Sequence, residues 1–453
     1  MDRDIDYPRV LVLGCNFGLL TGGGITLSNL FRGWPSERLA VASPHRCDVD
    51  PAPCDFEYLL GQAETEWIRP VRFAKSLHMR EHVRSVPAPA PAQSSHSSSA
   101  PDTGFARLRP LARGAFQAAV QCLGSDDYLR HHTLSKQLLS WSASFRPNLL
   151  YTQLASIGVM RLTFQLAYAL RVPIAVHMMD DWPAVIYGHG LLRRQLRTRT
   201  DVGLRTIIDS ATGRLAISDQ MAIEYTGRYG HHWDVFHNPV DLRRWSNTQR
   251  SSWHLGDVFR LVYSGRIGPG IEASLFDVSR AVAALQGQER QLTFDIHSPH
   301  FDTADDRRFS GFQGVATHGA IADSAMPATL AKADALVLPF DFHGEAAAFA
   351  RLSFPTKAPA YMASGTPVLV YAPSTHALTA DASGRGWGYV VSDQSERALV
   401  DAISRLMRDE GLRTSLGRRA LEEVEQRHNA DIVRTRFATT LASAARPEPS
   451  SDA

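Results

Sequence analysis

The sequence predicts an α/β protein made of two doubly wound domains that face each other across a cleft. Short apolar runs alternate with segments in which apolar residues recur every three to four positions, a pattern typical of parallel strands covered by helices. The alternation occurs in two series, one before residue 240 and one after it. The chain has 453 residues, of which 44% are hydrophobic and 21% charged, as expected for a folded protein of several domains.

The first series begins with a strand at residues 9–14, a glycine-rich turn and a helix. The later elements predicted in this series are strands at 149–152, 174–177, 214–217 and 234–236, and helices at 156–169, 190–209 and 219–228. Residues 85–103 are rich in Pro, Ala and Ser and have almost nothing to bury, so they predict a disordered surface loop. We assign residues 1–240 to the first domain.

The second series supports a second domain at residues 241–445. Its predicted elements are strands at 259–264, 291–296, 335–338, 367–371 and 388–391, and helices at 272–285, 325–332, 357–364, 396–408 and 410–425. Pro239 breaks regular structure at the junction, and residues 446–453 predict a disordered tail. The carboxyl ends of parallel strands are the usual ligand position in such folds, so a ligand cleft between the domains is expected.

The charge balance excludes a dedicated nucleic-acid-binding protein, because 48 basic and 46 acidic residues leave a net charge of only +2. The four cysteines form no C-x-x-C pair, so neither a metal site nor a disulfide framework is predicted. The N-terminus has no secretory signal pattern, and no apolar run reaches the ~18 residues of a membrane span. We therefore expect a cytoplasmic protein.

The strongest local signal is the segment that contains Ser353, Pro355, Thr356 and Lys357, at the start of a predicted helix. Free backbone amides, hydroxyls and a cation occur together there, and that combination suits a diphosphate. A capped helix with a solvated lysine explains the same residues. Local sequence alone leaves these two interpretations evenly balanced.

Several segments together resemble the retaining GT-B-fold glycosyltransferases of glycosyltransferase family 4. In chain order they are Gly22, Gly23 and Gly24, then residues 176–183, 217–222, 229–230, 237–241, 263–266 and 353–367. They follow the family's order over almost the whole chain apart from residues 45–145 and the tail. The resemblance implies two Rossmann-like domains, a nucleotide-sugar donor on the second, an acceptor on the first, and neither a metal nor another cofactor.

The resemblance also implies roles for individual residues. Gly265 and Arg266 would contact the donor phosphates together with segment 353–357, and the planar fork of arginine matches phosphate oxygens. The three glycines at 22–24 would let backbone amides approach the leaving phosphate or the acceptor, because glycine has no Cβ.

Two residues after a first-domain strand are catalytic candidates by the same resemblance. His177 would face the cleft and bind the donor sugar or steady developing charge, although a histidine at a strand end is more often packed in the core. Asp180 is a second cleft candidate. Asp181 is interpreted as the cap of the turn before Trp182.

The sequence departs from the family at two points. No lysine follows Arg266 within a few residues, and Leu352 and Ala360 replace the family's pair of carboxylates. The second carboxylate normally holds the donor ribose, and Glu345 is a candidate substitute from a nearby loop. These losses motivate one alternative to an active transferase, a non-catalytic subunit that binds a nucleotide or glycan. A sugar-nucleotide epimerase on the same fold is a further alternative, and it would isomerise the donor without an acceptor.

Segments 66–84 and 191–205 interleave basic with apolar residues, as amphipathic helices on an anionic membrane surface do. An ordinary solvated helix face explains each segment slightly better when it is considered alone. Both segments lie in the domain where a lipid-linked acceptor would bind. We therefore expect a metal-independent hexosyltransferase of polysaccharide biosynthesis at the inner face of the membrane, acting with retention on a glycan or lipid-linked acceptor.

Overall fold

The computed structural model contains two parallel sheets with helices packed around them, as the sequence predicts. It describes residues 6–19, 21–49, 53–67, 130–154, 156–287, 290–299 and 303–446. The predicted loop at 85–103, the tail beyond residue 446 and nearly all of basic segment 66–84 lie outside the described residues. The two-domain α/β prediction is confirmed by one sheet of seven strands and one of six.

The first sheet has the strand order β3-β2-β1-β6-β7-β8-β9. Its strands are β1 (Val10–Leu13), β2 (Leu39–Ser43), β3 (Phe56–Leu59), β6 (Leu149–Thr152), β7 (Ile174–Met178), β8 (Gly213–Ala216) and β9 (Asp234–Val235). An antiparallel pair, β4 (Thr65–Trp67) and β5 (Arg130–His132), stands apart from it. The central strands β1, β6 and β7 are buried throughout, which explains why they appear in the sequence as continuous apolar runs.

The helices of this half connect or flank its strands. They are α1 (Gly22–Leu30), α2 (Lys136–Phe145), α3 (Ile157–Leu170), α4 (Trp182–Val185), α5 (Arg193–Ser210) and α6 (Asp219–Tyr229). Serine side chains cap the starts of α3 and α6, where Ser156 and Ser218 accept hydrogen bonds from backbone N–H groups of the first turn. The helices predicted at 156–169, 190–209 and 219–228 are confirmed within three residues at each end.

The second sheet has the order β12-β11-β10-β13-β14-β15. Its strands are β10 (Val258–Ser264), β11 (Gln291–His297), β12 (Val315–His318), β13 (Ala335–Pro339), β14 (Val368–Tyr371) and β15 (Gly388–Val391). Its helices are α7 (Glu272–Ala284), α8 (Thr303–Phe309), α9 (Met326–Lys332), α10 (Glu345–Ala350), α11 (Ala358–Ser364), α12 (Ala377–Arg385), α13 (Glu396–Arg408) and α14 (Glu410–Glu423). The strand order reverses between β10 and β13, and the candidate site lies beyond the ends of these two strands.

The last helix, α15 (Ala430–Ala444), packs on the first sheet, although the sequence assigns residues 241–445 to the second domain. The Phe437 ring meets Phe31 and Phe236 edge-on, with centroid separations of 5.0 and 5.3 Å. The Thr212 hydroxyl donates to the carbonyl of Ala444 at 2.7 Å. The apolar spacing of this helix predicts a buried face but does not tell which sheet covers it.

Replacing Phe437 with Ala tests how strongly α15 holds to the first domain. The ring is fully buried, so its loss should destabilise the protein by about 3–5 kcal/mol. Urea or thermal unfolding measures the change. Thr439→Ala, at an exposed position of the same helix, should shift the unfolding midpoint very little, and equal shifts for the two variants would contradict the packing described.

Candidate functional site

The glycines predicted to form a loop are the first turn of α1, which begins at Gly22. The Thr21 hydroxyl caps this turn by accepting a hydrogen bond from the N–H of Gly24 at 3.1 Å. A Cβ placed on Gly22 would lie 3.6 Å from the Thr356 methyl carbon of the second domain. The start of α1, where backbone N–H groups lack helical acceptors, therefore faces segment 353–357 across the cleft.

Two cations lie next to each other on the second domain. Arg266 follows β10, and Lys357 directly precedes α11. The Lys357 ammonium donates to the Tyr263 hydroxyl at 2.9 Å and lies 4.1 Å from the centre of its ring. Burial and the positive charge of Arg266 lower the pKa of Lys357 to about 7. Among the described residues no carboxylate forms an ion pair with either cation, so together they suit a bound anion.

Gly265 is required for the position of this lysine. A Cβ at residue 265 would lie 2.2 Å from the Lys357 nitrogen and 3.0 Å from the Tyr263 oxygen. Any side chain there would displace the ammonium from the end of β10. The resemblance implies that Gly265 contacts the donor. In the structure its lack of a Cβ leaves room for the Lys357 ammonium.

Asp180 and Ser353 connect the two domains at the base of the cleft. The Ser353 hydroxyl donates to the Asp180 carboxylate at 2.5 Å. Burial raises the pKa of Asp180, while this hydrogen bond and the charge of Arg266 act in the opposite direction. The structure therefore brings together Asp180, Ser353, Arg266 and Lys357, which come from distant parts of the chain.

Asp181 has a different role from the turn cap that the sequence predicts. Its side chain makes no capping hydrogen bond to the helix that follows. It is fully buried and accepts hydrogen bonds from Arg228 at 2.8 and 2.9 Å and from Arg351 of the second domain at 3.3 Å. Arg351 also donates to Glu224 at 2.7 Å. We call Asp181, Glu224, Arg228 and Arg351 the closure cluster, because it joins the domains.

His177 lies in the core of the first domain, contrary to the expectation that it faces the cleft. The side chain is fully buried on β7, and its Nδ1 lies 2.7 Å from the Tyr151 hydroxyl. Burial lowers the pKa of His177 to about 3, so the ring is neutral at physiological pH. The alternation of strand side chains places both rings on the side of the sheet that α15 covers.

Glu345 begins α10 at the rim of the cleft. Its carboxylate lies 2.7 Å from the Nε2 of His189, which belongs to the first domain, and both side chains are mostly exposed. Leu352 is fully buried, whereas Ala360 lies on α11. Neither position carries the carboxylate of the family pattern, and a ribose contact by Glu345 stays a prediction.

Asn238 is a site residue that sequence reasoning included in a motif but gave no role. Its amide nitrogen donates to the carbonyl of Thr356 at 2.9 Å, and its oxygen accepts from Asn29 of α1 at 2.9 Å. Asn238, at the junction between the domains, thus links α1 to segment 353–357, which also contains Pro355. Its place beside Pro239, in a motif of the family, was the signal that could have indicated this.

The described part of the chain has neither a cluster of metal-ligating side chains nor a helix that could span a membrane. No group of three or more His, Cys, Asp or Glu side chains is arranged there to hold a metal ion. No helix in that part has the length and apolar character needed to cross a bilayer.

The closure cluster yields a prediction about domain opening. Arg351→Gln leaves the buried Asp181 with Arg228 and with the Tyr225 hydroxyl, which donates to it at 3.1 Å. The closed form should be destabilised by roughly 1–3 kcal/mol, less than in a fully buried pair, because Arg351 is partly exposed. Small-angle X-ray scattering should show a larger radius of gyration. Arg397→Gln, at an exposed position of the second domain, is the matched control, and identical scattering from both variants would contradict a closing role.

Lys357 yields a second prediction. Its NMR signal is easy to assign because the chain has only four lysines. After reductive methylation with a ¹³C label, the signal that disappears in Lys357→Arg should titrate near pH 7. The labelled α-amino group titrates at about 7.7–8.0 and remains in the variant, which distinguishes the two signals. Arg266→Gln should raise the Lys357 midpoint, because it removes a neighbouring positive charge. As pH rises through 7 the site loses one charge, so anion affinity should fall. A Lys357 midpoint at the ordinary value of about 10.4 would contradict the burial described.

Part of the second domain is similar to a known protein family. Residues 259–409 match the family model for glycosyl transferases group 1. No curated protein matches the chain significantly.

Solved structures match over nearly the full length. HepE from Anabaena, in complex with UDP and glucose, has a TM-score of 0.57 and 14% identity, with 96% of this chain and 100% of that chain covered. Sucrose-phosphate synthase from Thermosynechococcus elongatus has a TM-score of 0.60 and 15% identity, with 96% and 98% covered. At such identities the likeness establishes the fold. The chain thus has the GT-B fold, as the resemblance implied, and its residues 259–409 are similar to the glycosyl transferases group 1 family.

Proposed function

We propose that the protein transfers a sugar from a nucleotide-diphosphate sugar to a glycan or lipid-linked acceptor, with retention at the anomeric carbon. The observation that carries this proposal is the pair formed by Arg266 and Lys357. The two cations meet beyond the ends of the central strands of the second sheet, and the segment containing Lys357 faces the start of α1. A diphosphate is the ligand that suits two adjacent cations and free helix amides.

The chemistry proposed for this site is stabilisation of the departing diphosphate. Negative charge develops on the leaving phosphate as the sugar–oxygen bond breaks, and preorganised cations stabilise that charge. Lys357 gains a proton more readily once an anion is bound, because a nearby negative charge favours the ammonium form. Because these side chains supply the positive charge, we propose that transfer does not need a metal ion.

The acceptor would enter from the first domain, at the cleft wall that Asp180 helps to form. The hydrogen bond from Ser353 holds this carboxylate between the domains. The HepE structure contains UDP and glucose, which supports a hexose donor here. We also propose that the protein works in the cytoplasm, at the inner face of a membrane, in polysaccharide biosynthesis. The exposed arginines of α5 support that location.

A second candidate function is a non-catalytic subunit that binds a nucleotide sugar without turning it over. Leu352 favours it, because this side chain is fully buried in the core where the family pattern has a carboxylate. Binding and transfer must therefore be measured separately.

The first test is a thermal-shift panel with UDP, GDP, ADP, CMP, dTDP and their sugar conjugates. The true donor should stabilise the protein by roughly 2.7 kcal/mol at a hundredfold excess over Kd. Arg266→Gln should weaken binding about 10- to 100-fold, since a hydrogen bond to a charged group contributes about 1.5–3 kcal/mol. Lys357→Ala should act in the same direction.

Arg397→Gln and Lys332→Ala remove exposed cations of the second domain and should leave the shift unchanged. A transfer assay then distinguishes a transferase from a non-catalytic subunit. It measures whether the wild type moves the sugar of the stabilising donor onto a membrane or glycan fraction. Binding without transfer would favour the non-catalytic subunit. Equal thermal shifts for the site variants and their controls would show that Arg266 and Lys357 do not bind the donor.

A further inference from the structure

Two thiols of the first domain share a hydrogen bond with each other. Cys47 follows β2 and Cys54 precedes β3, so six residues separate them in the chain. The Cys54 thiol donates to the sulfur of Cys47. The sequence alone does not show this contact, because no C-x-x-C pattern marks it. The structure thus brings together two free thiols that could be joined to each other.

Strand β3 holds both cysteines in place. The N–H of Cys47 donates to the Glu57 carboxylate at 2.8 Å. The Cys54 sulfur lies 3.6 Å from the carbonyl oxygen of Phe56. Cys54 belongs to the apolar core on this side of the sheet, and Cys47 packs against that core. The two thiols are therefore neighbours because of the fold and not because of a short sequence motif.

The two thiols differ in exposure and in acidity. Cys47 is half-buried, whereas Cys54 is buried. The hydrogen bond from Cys54 lowers the pKa of Cys47, aided by the N–H of Phe17 and opposed by burial and the Glu57 carboxylate. The contact with Cys47 and burial both raise the pKa of Cys54. Because the thiolate is the nucleophilic form of cysteine, Cys47 is the thiol expected to react first.

Cys15, which follows β1, provides a comparison within the same domain. Its thiol donates to the carbonyl of Leu13 at 3.9 Å, and burial raises its pKa to about 12. A thiol that stays protonated reacts slowly with oxidants. Among the cysteines that the structure describes, the pair formed by Cys47 and Cys54 is the one suited to oxidation.

The pair lies next to the loop that precedes α1. The N–H of Phe17 donates to the Cys47 sulfur. The adjacent Asp48 donates its N–H to the carbonyl of Phe17 at 3.3 Å, and its carboxylate accepts from the N–H of Leu19 at 3.0 Å. Cys47 and Asp48 thus hold residues 16–19, and a change at the Cys47 sulfur acts on the segment that leads to the start of α1.

We propose that Cys47 and Cys54 form a reversible oxidation site, at which hydrogen peroxide converts the two thiols into a disulfide. The Cys47 sulfur attacks one peroxide oxygen, the O–O bond breaks, and a sulfenic acid and one water form. The Cys54 sulfur then attacks the Cys47 sulfur and displaces the remaining oxygen as a second water. The two thiol protons leave with the two waters, and a small thiol reduces the disulfide again. The proposal does not depend on sugar transfer.

The test is oxidation of the folded full chain with hydrogen peroxide, followed by intact-mass measurement and peptide mapping without reduction. The wild type should lose about 2 Da, the mass of two hydrogen atoms, and a peptide pair joined through Cys47 and Cys54 should appear. Dithiothreitol should reverse both changes. Cys15→Ser is the matched control and should be oxidised as the wild type is.

Single variants separate the thiol that reacts first from its partner. In Cys54→Ser the sulfenic acid of Cys47 has no thiol to condense with, so dimedone, a reagent for sulfenic acids, should label Cys47. In Cys47→Ser the remaining Cys54 should stay a thiol. Cys54→Ala removes the same thiol without adding a hydroxyl to the core, should the serine variant fail to fold.

Two outcomes would overturn the proposal, and both are read on the wild type, so neither depends on the folding of a variant. In the first, Cys47 and Cys54 still react with maleimide when the peroxide-treated chain is unfolded. In the second, the disulfide joins one of them to Cys15 or Cys122. Neither Cys47 nor Cys54 belongs to the donor site, so either result leaves the nucleotide thermal shift of the reduced protein, and the transfer proposed from it, unaffected.

Discussion

The arrangement of the two domains depends on one buried carboxylate, Asp181. A carboxylate without contact to water is costly unless it is paired and hydrogen-bonded. Arg228 supplies a partner from the same domain, and Arg351 supplies one from the other. The second partner exists only when the domains are close, so pairing of Asp181 favours closure. Nearby, the Ser218 hydroxyl donates to the carbonyl of Leu352 at 2.7 Å and reinforces the same approach.

Closure in turn builds the candidate site. Asp180 precedes the anchored Asp181 in the chain, so its position follows from that anchor, and its contact with Ser353 forms across the cleft. The lysine that the family pattern would place soon after Arg266 is absent, yet Lys357 reaches the end of β10 from the start of α11. Gly265 allows this approach because it has no Cβ. The site therefore keeps two basic side chains, although their spacing in the sequence differs from the family pattern.

The sequence predicts the helices and strands well, but it does not predict which of them contact each other. The physical reason is the distance along the chain over which the interactions act. The periods of strands and helices arise within one element, so α3, α6 and the strands of the second sheet could be located. The packing of α15 on the first sheet and the pairing of Asp181 with Arg351 arise between residues far apart in the chain. No local pattern marks them. The burial of His177 is of the same kind, since Tyr151 and α15 create it.

Helix α5 is connected to the cleft through the segment that precedes it. This helix follows the α4 segment that carries the closure carboxylate, and Arg197 donates a hydrogen bond to the carbonyl of Ala184 at 2.5 Å. His189, on the connection between the two helices, pairs with Glu345 of the second domain. The start of α5 is thus attached to the segment that borders the cleft. Asp181 and His189 both contact the second domain, so the contacts that hold the domains together lie on one short stretch of the chain just before α5.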